Sequence, residues 1–239
     1  MSFLIVANWK MQGSKELAVQ FKKSLEEYLE NSSAELVVCP PFVYLESLKS
    51  DKYELGAQDV SRYSGFGAHT GEVSAKMLVD IGCHYVIIGH SERRKLEGTE
   101  EIKVKIKAAR EQGLKVILCV GESEKDRLRG EHLEVIASQI TELLGENFNG
   151  VQIAYEPLWA IGSGKIIKTE QLIEVADLVK SRYLSSLEPS DKNWGILYGG
   201  SVSEENAKEL SDLKQIKGLL IGASSLDCIR LIKIINSIC

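Results

Sequence analysis

Residues 155–165 read YEPLWAIGSGK, and the acid in this stretch, Glu156, has the setting of a proton-transfer group. It closes an apolar run, VQIAY, and is followed at once by Pro157, Leu158 and the indole of Trp159. Shielding from water makes a carboxylate a stronger proton acceptor. Proline fixes its own φ and restricts the residue before it, so the acid is presented from stiff backbone. Ala160 and Ile161 then lead into Gly162-Ser163-Gly164-Lys165, a segment built to move. A rigid base joined to a mobile flap is the first expectation.

His90 lies in GHSERR, just past another apolar run, YVIIG. If Ser91 and Glu92 begin a helical turn, its N-terminal N–H groups favour a neutral imidazole, which can donate a hydrogen bond to a substrate oxygen. His69, His84 and His132 have no such setting. Lys10, three residues beyond the first apolar run in ANWK, offers a local cation. Gly162 to Lys165 does not make a nucleotide loop: Trp159 stands where a Walker motif needs glycine, and Ile166 where it needs Ser or Thr. No His, Cys and carboxylate cluster has metal-ligand spacing, so neither metal nor cofactor is expected. A base, a neutral donor, a cation and small-residue loops for an anion suit one reaction class. It is proton abstraction beside a carbonyl in a small phosphorylated substrate. A closing flap would keep water from the enediolate phosphate.

The chain that must position these groups has 239 residues, 44% apolar and 26% charged, with net charge −5. That balance suits a core-forming globule and gives no basic field for nucleic acid. The start, MSFLIVANWK, lacks a basic leader and reads as no signal peptide; no run reaches membrane-span length. The five cysteines show no CxxC spacing, which points to reduced thiols in the cytoplasm.

Apolar runs alternate with amphipathic segments throughout: FLIVA, ELVVC, YELGA, YVIIG, KVILCV, VQIAY, GILY and GLLIG. Such continuous runs are those of parallel strands buried on both faces. Helical spacing recurs between them, as over 15–30 and after Thr169, which reads as an N-cap. Eight units of about 30 residues each suit a single α/β domain over 1–239. A doubly wound sheet would carry GxGxxG after the first strand, where NWKMQG stands instead. Polar residues fall just past the runs: Asn8 and Lys10, Gln58, His90 and Glu92, Glu122, Glu156, Tyr198 to Ser201, and Gly222 onward. Reactive groups at the carboxyl ends of successive strands fit a (β/α)8 barrel with eight parallel strands. The last two strand-end loops, GGSV and GASS, would hold phosphate by backbone N–H groups. The long segment 60–72 has no core pattern and is expected to be functional.

Together ANWK, GAQD, HTGEVS, GHSERR, CVGE, YEPLWAIGSGK and YGGSV resemble the triosephosphate isomerase family over essentially the whole chain. The resemblance implies interconversion of dihydroxyacetone phosphate and D-glyceraldehyde 3-phosphate, in glycolysis and gluconeogenesis. It implies Glu156 as the base and His90 as the neutral electrophile, roles the family is well known for. Asn8 and Lys10 would hold and polarise the substrate, with Glu92 beside the lysine. The N–H groups of Gly162, Ser201, Gly222 and Ala223 would bind phosphate. Pro157 through Lys165 (Leu158, Trp159, Ala160, Ile161, Gly162, Ser163 and Gly164 between them) would form the lid, latched by Tyr198 and Ser201. The segment through Thr70 would dock into a second subunit, with Glu72 and Arg93 paired across the homodimer interface.

Four departures from the family pattern stand out. Ala223 replaces a glycine, which strains the phosphate loop if a positive φ is required there. Asp59 replaces an asparagine and brings a charge near the docking arm. The segment after Arg94 is about two residues short, and Ile166-Ile167 replaces Thr-Ala at the second hinge. A phosphosugar epimerase on the same barrel and a non-catalytic phosphate-sensing dimer are the competing functions. The first would require a different acid–base pair, and the second has no use for Glu156, His90 and Lys10 together.

Overall fold

The apolar runs form β1 (Leu4–Asn8), β2 (Glu35–Cys39), β3 (Glu54–Ala57), β4 (Cys83–Ile88), β5 (Lys115–Val120), β6 (Val151–Tyr155), β7 (Ile196–Tyr198) and β8 (Ile216–Ile221). The structure is a computed structural model and describes residues 3–29, 35–145, 147–161, 167–183 and 195–238. All eight strands pair in parallel and in sequence order, and β8 returns to β1 to close the barrel. Alternate residues explain why the runs are apolar throughout. Leu4 and Val6 of β1, with Val37, Ile87, Ile117 and Leu220, fill the barrel. Ile5 and Ala7 face the other way, into a second core beneath the helices.

That outer layer consists of α1 (Lys15–Leu29), α2 (Ala75–Asp80), α3 (Ser91–Arg94), α4 (Thr99–Glu111), α5 (Glu124–Leu128), α6 (His132–Leu144), α7 (Thr169–Tyr183), α8 (Ala207–Asp212) and α9 (Cys228–Ile238). In α1, Ala18, Phe21, Leu25 and Leu29 are buried at helical spacing, and Ser14 Oγ accepts the Leu17 N–H at 3.1 Å. Among the described residues no helix is long and apolar enough to cross a membrane.

The expected cap at Thr169 is not found. Thr169 is the first residue of α7, and its hydroxyl donates to Glu209 at 3.0 Å instead of serving the backbone. The buried face of α7 is Leu172, Val175, Ala176 and Val179, at helical spacing. The long segment after β3 is tied at its base, where the Ser61 N–H donates to the Val73 carbonyl at 2.9 Å. Its tip is exposed and carries the stacked rings of Tyr63 and His69.

Candidate active site

The first strand delivers Asn8 and Lys10 to the mouth of the barrel. Asn8 is the last residue of β1 and is buried; its Oδ1 accepts the Lys10 N–H at 3.0 Å. Lys10 has a left-handed backbone, φ 53°, unlike every other non-glycine among the described residues. Such strain persists only where neighbours enforce it. Here Gln58, just past β3, does so, its Nε2 donating to the carbonyls of Lys10 at 2.9 Å and Cys39 at 2.8 Å. The ammonium is thereby aimed across the mouth to Glu92 Oε1 at 2.9 Å. Burial pushes the Glu92 carboxyl up, but the bonded Lys10 outweighs it and holds the group below the ordinary range.

The end of β4 places His90 as the N-cap of α3, the short helical turn expected from GHSERR. The Glu92 N–H donates to His90 Nδ1 at 3.2 Å, so that nitrogen carries no proton. The ring is therefore neutral, with its proton on Nε2, 2.9 Å from Glu156 Oε1. Glu156 Oε2 accepts the Ser91 N–H at 3.1 Å. The acid is 2% exposed. Two glycines make room for it: a Cβ on Gly121 would overlap the Glu156 carbonyl oxygen, and one on Gly199 would lie 2.9 Å from Glu156 Cγ.

These groups line one side of a cavity of about 250 Å³, and the loops after β7 and β8 line the other. Ser201, Gly222 and Ala223 are on that second side. Ala223 is not in the left-handed region and begins a 3-10 turn, Ala223–Ser225, so the strain expected there is absent. Gly222 comes close to the lysine instead: a Cβ on it would lie 3.4 Å from Lys10 Cε. A small polar cavity with a cation, a neutral imidazole and a carboxylate suits a small anionic ligand.

The family model described as triosephosphate isomerase matches residues 3–238. Curated proteins of that name are similar along nearly the whole chain. That of Shewanella woodyi is 43% identical over 242 aligned residues, covering 94% of this chain and 92% of its own. Those of Shewanella oneidensis and Shewanella sp. strain ANA-3 are 45% identical with the same coverage. The chain belongs to the triosephosphate isomerase family.

Within this triosephosphate isomerase fold, the segment expected to act as a lid leaves β6 through a dense polar anchor. Trp159 Nε1 donates to Glu122 Oε1 at 2.9 Å, and Arg127 Nε donates to the same oxygen at 2.8 Å. Tyr155 hydroxyl and Glu122 Oε1 are 3.2 Å apart, and the Leu158 N–H donates to the Glu122 carbonyl at 3.1 Å. Burial works against the Arg127 charge, but Glu122 and Tyr155 together outweigh it and raise its pKa. Ser201 Oγ donates to the Ala160 carbonyl at 2.9 Å, linking the expected latch to the expected lid. Burial pushes the other expected latch residue, Tyr198, up to about 12, opposed by the adjacent Ile167 amide. Gly162, Ser163, Gly164, Lys165 and Ile166 lie outside the described residues.

Thr70 and Glu72 are exposed on the arm. Arg93, expected to face Glu72 across an interface, bonds within the chain to Asp59 at 3.0 Å and to Glu97. The departure at Asp59 is thus compensated locally, since buried Lys105 also meets Asp59 and Glu97, both at 2.8 Å. Sequence reasoning missed several supporting groups. Gly121 and Gly199 could be found only from the approach of the Glu156 chain. Asn206 braces the loop after β7, donating to the Ser201 carbonyl and accepting the Ser203 N–H, both at 2.9 Å. Glu122 was visible as a strand-end acid in CVGE, but its full burial was not.

Proposed function

We propose that the cavity at the barrel mouth is where this chain interconverts dihydroxyacetone phosphate and D-glyceraldehyde 3-phosphate, with Glu156 as the base. Ser201, Gly222, Ala223 and Gly162 bind the phosphate through backbone N–H groups. Lys10 and Asn8 orient the carbonyl end. The Glu156 carboxylate takes a proton from the hydroxymethyl carbon of the ketone, and electron density moves onto the carbonyl oxygen as the enediolate forms. His90 donates from Nε2 to that oxygen, and Lys10 offsets the developing charge. Glu156 then returns the proton to the neighbouring carbon, and the hydroxyl proton moves between the oxygens through the imidazole.

The observation that carries this reading is the pairing of His90 with Glu156. One imidazole nitrogen is occupied by the Glu92 N–H, and the other presents a proton beside the carboxylate at 2.9 Å. In the free enzyme that proton and the Ser91 N–H hold the base; substrate takes over the His90 bond and releases the carboxylate toward carbon. The lid, Pro157 through Lys165, closes over the enediolate, and Tyr198 and Ser201 latch it.

The chain functions as one domain, and as a homodimer in the cytoplasm. Met11, Val43, Phe66 and Leu96 are exposed on the segments that follow β1, β2, β3 and β4, a shared side that a second copy would cover. Thr70, Glu72 and Arg93 lie on the same side. Free, buried Cys39, Cys83 and Cys119 suit a reducing compartment. A coupled isomerase assay of purified protein and of Glu156→Asp tests the assignment. Shortening the side chain withdraws the base by about 1 Å and is expected to lower kcat about 100-fold. An unchanged kcat overturns it.

A further inference from the structure

The helical turn α3 has only four residues, yet its N–H groups hold both reacting side chains, Ser91 on Glu156 and Glu92 on His90. So short a helix has no stability of its own. Its last residue, Arg94, supplies the missing attachment. Arg94 Nε donates to the Gly89 carbonyl at 2.8 Å, and Nη2 donates to the Cys119 carbonyl at 2.8 Å. Gly89 immediately precedes His90. Cys119 precedes Val120, whose carbonyl accepts the Glu156 N–H at 2.8 Å. Both ends of the guanidinium fork therefore grip backbone one step from the residues that hold the reacting groups. Gly89, with φ 69°, allows this approach; a Cβ there would lie 3.2 Å from Arg94 Nη2.

Burial lowers the Arg94 pKa, and Cys119, Glu156 and Glu97 oppose that shift. A lysine in its place would keep the charge but present a single nitrogen where the guanidinium presents a fixed planar fork.

We propose that Arg94 is a positioning residue for the isomerisation: its guanidinium fork staples α3 across the ends of β4 and β5, and so fixes the N–H groups that hold Glu156 and His90. The proposal rests on the reading of Glu156 as the base. It is tested by kcat and KM for Arg94→Met and Arg94→Lys, with thermal unfolding of each and Glu156→Gln beside them. Arg94→Met is expected to lower kcat by about 10- to 100-fold with little change in KM. Arg94→Lys keeps the charge and loses the fork, so its kcat falls as well, again with KM unchanged. A merely structural arginine would lower the unfolding temperature and leave kcat of the folded enzyme intact, and a folded Arg94→Met with wild-type kcat overturns the proposal. If Arg94→Met does not fold, Arg94→Lys decides alone: a reduced kcat at unchanged KM supports it, and a wild-type kcat overturns it. Wild-type activity in Glu156→Gln would instead overturn the reading of the base, whatever the arginine variants show.

Discussion

Gly199→Ala adds a single methyl group to the wall behind Glu156. Gly199 is not in the left-handed region, so alanine fits its backbone and the side-chain contact is the whole perturbation. The methyl would lie 2.9 Å from Glu156 Cγ, 3.4 Å from the Tyr155 carbonyl oxygen and 3.5 Å from Leu220 Cδ2. Carbon atoms attract best at about 3.5–4.0 Å, so Cγ must retreat by roughly 0.6–1 Å. The carboxylate cannot follow freely, because Ser91 and His90 hold its two oxygens at 3.1 and 2.9 Å. A misplacement near 1 Å costs about 100-fold in rate, and overpacking costs about 1–3 kcal/mol of stability. The expected result is a kcat lower by about 10- to 100-fold with a nearly unchanged KM, and an unfolding temperature lower by a few degrees. A coupled assay in both directions and a thermal melt on the same preparation read both quantities. A folded variant with wild-type kcat would refute the reasoning, since the wall would then not set the position of the base.

Trp159→Phe removes the indole donor to buried Glu122 and is expected to cost about 1–3 kcal/mol and to lower kcat by disturbing the lid anchor; unaltered melting and turnover would contradict it. At Asp59, burial pushes the carboxyl above its ordinary 3.8 and outweighs Lys105, so the folded chain holds that proton more tightly than the unfolded chain. The stability it contributes is complete below that value and declines as pH rises through the window above it. Asp59→Asn stays neutral, so its melting temperature should gain on the parent as pH rises above about 4, and a constant difference refutes this. Dilution until sedimentation shows monomer should abolish activity; a fully active monomer argues against the homodimer.

The strands were legible because both faces of each are buried, which leaves an unbroken apolar run that needs no partner to be recognised. Ends were less so. YVIIG stops at Gly89 and GLLIG at Gly222, whereas β4 begins earlier at Cys83 and β8 at Ile216, because lysine and histidine side chains there extend past the sheet to water. Asn8, Lys10, His90 and Glu156 were legible from type and place, since strand ends are where a barrel gathers its reactive groups. The supports were not. Gly121 and Gly199 matter through what a Cβ would strike, and Arg94 through carbonyls on two strands, neither of which local pattern records. Thr169 misled because a threonine before a helical stripe suggests a cap, and only α8 reveals Glu209 as its partner.

The pairing of β1 with β8, Leu4 opposite Gly218, has a consequence for how the molecule is made. Translation delivers β1 first and β8 last, so the nascent sheet carries two open edges for most of its synthesis. Asn8 belongs to the strand that waits for that final partner, and Gly222, against which Lys10 packs, follows it directly. A ribosome that stalls before β8 therefore releases a chain with nearly all of its helices and an open sheet. Its mouth would lack the loop from Gly222 onward that lines the far side of the cavity. Isomerase activity in a cell thus counts completed chains, with no graded contribution from partial ones.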